Sequence, residues 1–181
     1  MSAVDWVDIG SKVSVGLITG LVTGLIVAYC TAQYALNRFY KEKWWEKRLT
    51  AFLELTEYVY KVKRADDYWV AVMESKMFED ESFISLPEEE IKKLREEQSL
   101  AMKEIIRISH LASFTLSHKA SELLTTYITE YDKIYPSWWV DEITDDEATI
   151  KSSEIIDALF NELLTEARTV LNIPEEKINL I

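Results

Sequence analysis

The hydrophobic pattern of the chain changes character at Asn37. From Val13 to Asn37, 25 residues carry no charge and are mostly Val, Leu, Ile, Ala, Gly and Thr. As a helix rising ~1.5 Å per residue they reach ~37 Å, enough to cross a hydrocarbon core of ~30 Å. Beyond them, apolar positions recur at spacings of three and four, the period of a helix with one buried face. Phe52, Leu55, Val59, Val62, Trp69 and Met73 keep that period, with Asp66 as the single polar interruption, so the apolar segment is expected to continue into a long first helix ending between 78 and 85. Ser85, Pro87 and Glu88 to Glu90 form a second helix start, followed by the stripe Ile91, Leu94, Ala101, Ile105 and Ile108, in which Gln98 is the exception. A break at 113–117 opens a third helix, Leu123 to Ile134, which Pro136 is expected to stop. Thr144 with Glu147 spells a capping box for a fourth, whose apolar face is Ile156, Leu159, Leu163, Ala167 and Val170 before Pro174.

The fold class expected from this pattern is all-α: one N-terminal transmembrane helix, 13–37, continuing into an antiparallel bundle of about four helices within 38–181. All four glycines lie in the first 24 residues, and three prolines follow, so the rest of the chain has few breakers. The stretch 1–12 carries Asp5 and Asp8 against Lys12, unlike the basic start of a cleaved signal. Arg38, Lys41, Lys43, Lys47 and Arg48 against Glu42 and Glu46 put the positive flank after the span. By the positive-inside rule, this orients a single-pass membrane protein with 1–12 outside and the bundle in the cytoplasm. Trp44, Trp45, Phe39 and Tyr40 suit an interfacial anchor.

Charge narrows the function classes. With 20 Lys+Arg against 32 Asp+Glu the net charge is −12, against the basic footprint of a protein that coats nucleic acid. One cysteine and two histidines exclude a disulfide scaffold and a zinc site of the usual kind. His110 and His118 stand on either side of a helix break and read as ordinary helix-end residues. Asp66 and Asp67, adjacent in sequence, splay around a helix instead of converging. No glycine is placed to cradle a phosphate, so neither a catalytic residue, a metal nor a cofactor is expected and the chain reads as a non-enzyme.

Two constellations remain. Gly16, Gly20 and Gly24 recur every four residues and continue as Ala28, a small-residue stripe that lets helix backbones approach closely. It predicts a homo-oligomer of about four or more chains, with Thr19 and Thr23 as pore-lining candidates. Arg38, Lys41, Trp45 and Arg48, spaced 3, 4 and 3, share one helix face and form a candidate site for an anionic ligand or membrane lipid. An aromatic ring between cations also suits a nucleotide or oligonucleotide.

At FYKEKWWEKRLTAFLEL, directly after the apolar segment and before an acidic helical domain, the chain resembles small membrane effectors of bacterial anti-phage defence, of the Hailong or retron type. That resemblance implies a membrane-depolarising toxin of the bacterial inner membrane, held inactive by a ligand or regulatory protein partner. The leading expectation is therefore an oligomeric effector that forms or gates an ion-conducting pore. The alternative is a non-conducting, membrane-tethered dimeric scaffold whose acidic bundle recruits a soluble partner.

Overall fold

The computed structural model describes residues 6–79 and 82–173, with side chains from Gly20 onward. These residues form five helices: α1 (Trp6–Met77), α2 (Glu88–Ser109), a short α3 (Ala112–Thr115), α4 (His118–Trp139) and α5 (Asp145–Leu171). The chain divides into two compact units, Met1–Trp45 and Glu46–Ile181, and α1 contributes to both.

The first unit corrects the membrane expectation. Among the described residues, no helix is long and apolar enough to cross a membrane. The side chains of 13–19 lie outside those described, and in the rest of the expected span Gln33, Tyr34 and Asn37 bring polar groups into its C-terminal end. The described residues are thus helical with no membrane-crossing helix among them, and the transmembrane element expected at 13–37, the single-pass inner-membrane placement and the ion channel are not supported.

The second unit is a four-helix bundle. Glu54 of α1 meets Arg107 of α2 and Arg64 meets Glu97, so partners advance in opposite directions and the two helices are antiparallel. Tyr60 packs on Phe160, Lys63 pairs with Asp157 and Asp66 bonds to Ser152, which makes α5 antiparallel to α1 as well. Ser117, next to the start of α4, reaches Glu166, and Trp138 at its far end reaches Asp145, so α4 runs against α5. The result is up-down-up-down topology, with α2 and α5 each between α1 and α4.

The core follows the sequence stripes. Phe52, Leu55, Val59 and Val62 of α1 are buried against Ala101, Ile105 and Ile108 of α2, Ala120, Leu124 and Tyr127 of α4, and Ile156, Leu159 and Leu163 of α5. Trp69 and Met73, two and three turns beyond Val62 on α1, are only half-buried, as is Ile91. Ala167 and Val170 pack against the core at its margin.

Helix ends show why the elements stop where they do. The Thr144 hydroxyl accepts from the Glu147 amide and the Glu147 carboxylate accepts from the Thr144 amide, completing the expected capping box. Ser117, in extended conformation, caps α4 by accepting from the Ala120 amide at 3.0 Å. In place of glycine, Asp141 and Asn172 take the left-handed conformation after α4 and α5, with φ of 58° and 52°. At each end two amides turn back onto helix carbonyls: Asp141 on Trp138 and Glu142 on Ser137, then Asn172 on Thr169 and Ile173 on Arg168. That is the Schellman termination.

α4 also departs from expectation. It begins at His118, ahead of Leu123, and runs through Pro136 to Trp139. A proline removes its own amide from the ladder but leaves its carbonyl, and Pro136 still accepts from the Val140 amide at 3.1 Å. Tyr135, Trp138 and Trp139 cluster on this last turn, with the Tyr135 and Trp139 rings stacked at 6.2 Å. The chain after Pro136, expected to lie beyond the helix, is thus helical as far as Trp139.

Candidate functional site

The small-residue stripe lies on α1 in the first unit. The side-chain surroundings of Gly16 and Thr19 lie outside the described residues; Gly20, Thr23, Gly24 and Ala28 are exposed. A Cβ built at Gly20 or Gly24 meets nothing within 4 Å, so neither glycine is required by a contact within the chain. Around them Leu21, Leu25, Ile26 and Val27 are 60%, 70%, 59% and 58% exposed. At 100° per residue these side chains are distributed around the helix and are not confined to one stripe.

The basic constellation is less open than its spacing suggests. Arg38 donates from Nε to Glu42 Oε1 at 2.8 Å, and this bond, with the attraction of the same carboxylate, raises the guanidinium pKa. Lys41 and Trp45 are exposed on the same unit, whereas Arg48 belongs to the second. Arg38 thus already has an anionic partner one helical turn away on its own chain.

His110 caps α2 and His118 opens α4, so both stand at helix ends, and His118 lies 3.3 Å from Glu122. Among the described residues, no group of three or more His, Cys, Asp or Glu is placed to hold a metal.

The second unit contains a polar cluster that periodicity marked only as two exceptions. Asp66 is 3% exposed on the inward face of α1. Gln98 of α2 donates to its Oδ1 at 2.6 Å and Ser152 of α5 to its Oδ2 at 2.7 Å. Burial raises the carboxyl pKa from 3.8 to about 6 against the lowering effect of the two donors, with Asp67 and Asp157 adding repulsion. From α4, the Tyr127 and Tyr131 phenols are pushed up by burial and by the Asp66 charge. Lys63 is held by Asp157 at 2.6 Å and Asp67 at 3.0 Å.

Ser152 also lines a groove between α4 and α5 of about 440 Å³, whose walls include Tyr131, Tyr135, Trp138 and Asp145. The i, i+4, i+7 spacing of 131, 135 and 138 puts all three rings on one face of α4, and the same spacing aligns 145, 149 and 152 on α5. Trp138 donates from its indole nitrogen to Asp145, which fixes the ring at the mouth. A second buried carboxylate, Glu166, accepts from the Ser117 hydroxyl at 2.7 Å and ties α5 to the N-cap of α4. Neither Ser152 nor Glu166 stood out in the sequence, because each is one polar residue among many on α5.

No family model, curated protein or solved structure matches the chain. These comparisons therefore neither favour nor oppose the likeness to defence effectors.

Proposed function

We propose that this chain is a self-associating helical scaffold, in which the first unit gathers copies of the chain and the bundle presents an acidic surface to a partner. The observation that carries the reading is the exposure of Leu21, Leu25, Ile26 and Val27 around open Gly20 and Gly24. A helix apolar on all sides is stable when other elements cover it, and a contiguous exposed apolar surface marks an association site. A second copy is a self-complementary occupant, because glycines facing glycines across a two-fold bring both backbones into van der Waals reach. The residues from 49 onward carry the acidic excess of the chain, so the partner suited to the bundle is basic. On this reading the protein assembles and recruits and does no chemistry.

The test is the molar mass of the purified full-length chain by light scattering, alongside Gly20→Leu and Gly24→Leu. The expected result is an oligomer in the parent and a smaller species in both variants, since a leucine at either position separates the backbones. A monomeric parent, or variants of unchanged mass, overturns the reading.

A further inference from the structure

We infer that the groove between α4 and α5 binds an organic cation carrying an alkylammonium head group, with Tyr131, Tyr135 and Trp138 supplying ring faces and Asp145 the counter-charge.

Three independent features support this. The groove has the size of a small-molecule site, about 440 Å³, and none of its lining residues is basic. Its walls combine three aromatic rings on one helix face with a carboxylate on the facing helix, and ring faces attract a cation that has shed part of its water. Tyr135 is 63% exposed and Trp138 37%, so ring surface remains for a ligand to cover.

The electrostatics around the groove agree in sign. Asp145, Asp146 and Glu147 form the first turn of α5, and Asp141 and Glu142 precede it. Three carboxylates in one turn outweigh the roughly half unit of positive charge at a helix N-terminus. At the inner end, the Ser152 hydroxyl is turned inward to donate to Asp66, whose donors Gln98 and Ser152 are both neutral. Lys63, three residues before Asp66, is occupied by Asp157 and Asp67. A cation in the groove therefore meets negative potential at its mouth and beneath its floor, which an anion or a neutral ligand would not exploit.

The experiment is a titration of the full-length protein with choline and with its neutral carbon isostere, dimethylbutanol, followed through the Trp138 indole N–H resonance. Choline should give a saturable shift and bind about tenfold or more tightly than the alcohol, the scale of a partly desolvated cation–π contact. Asp145→Asn keeps an acceptor for the indole while removing the charge, and should weaken choline severalfold and leave the alcohol unchanged. Trp138→Leu, which lacks that signal and is titrated by calorimetry alongside the parent, should weaken both. Equal binding of the two probes, no saturable choline shift, or an unchanged choline-to-alcohol ratio in Asp145→Asn overturns the inference.

Discussion

Ser152 of α5 donates a hydrogen bond to Asp66 of α1 at 2.7 Å across 86 residues of chain, and so joins the first and last helices of the bundle through a buried carboxylate. With Gln98 of α2 on the other oxygen at 2.6 Å, three of the four long helices meet at one polar point inside an apolar core. A point of this kind sets register, because sliding any helix by a turn would leave a buried polar group without its partner.

The Asp66 cluster should make stability depend on pH in an unusual direction. The folded chain holds this proton up to about pH 6, against an ordinary carboxyl value of 3.8. The contribution of Asp66 therefore favours folding fully below the lower value and is lost as pH rises through the upper one. The difference corresponds to about 3 kcal/mol. The groups facing it are Gln98 from α2, Ser152 and Asp157 from α5, Tyr127 and Tyr131 from α4, and Asp67 beside it. In Asp66→Asn this component should vanish, so the variant gains on the parent as pH rises from about 4 to about 7. Denaturant midpoints of both proteins at the two pH values check it; parallel pH profiles would exclude it.

Thr144→Ala should cost about 1 kcal/mol, because it leaves the Glu147 amide without its capping oxygen at the start of α5. Thr144→Ser should restore most of the loss. Thermal unfolding followed by circular dichroism distinguishes the three proteins.

Asp141→Gly should stabilise the bundle by a few tenths to about 1 kcal/mol, since a left-handed backbone at φ 58° strains any residue with a Cβ. The same change at a right-handed position such as Ser137 should destabilise by a similar amount. A lower melting temperature for Asp141→Gly would show that the Asp141 side chain makes up for its backbone strain.

Gly24→Ala separates helix propensity from packing. A methyl group there meets nothing within 4 Å in the single chain, so local helix stability should rise by about 1 kcal/mol, visible as slower amide exchange around residue 24. Assembly should weaken at the same time, because the added methyl groups hold facing backbones apart. Slower exchange with unchanged assembly would place the association surface elsewhere.

The bundle was legible wherever a residue acts through its period or its immediate neighbours. The stripes of α1, α2 and α5, the capping box at Thr144 and the break near Ser117 all express local rules: apolar spacing, an oxygen three residues before an amide, a chain that cannot continue its ladder. Asp66 and Gln98 were visible only as irregularities in two separate stripes. That they bond to each other, and that Ser152 and Tyr127 complete their surroundings, depends on which helices lie side by side. The same holds for the groove, whose rings and carboxylate come from two helices joined by a turn expected to begin at Pro136. The proline misled because the rule concerns a missing amide in a helix interior, whereas the last turn needs only the Pro136 carbonyl. The apolar segment misled because absence of charge is a weaker condition than apolarity, and Gln33, Tyr34 and Asn37 are uncharged but polar. Sequence by itself thus determined the helices and their buried faces, since both follow from interactions a few residues long. Only the tertiary structure decided which polar groups share the core and which faces stay open, because burial and electrostatic environment are properties of neighbours that the chain order does not contain.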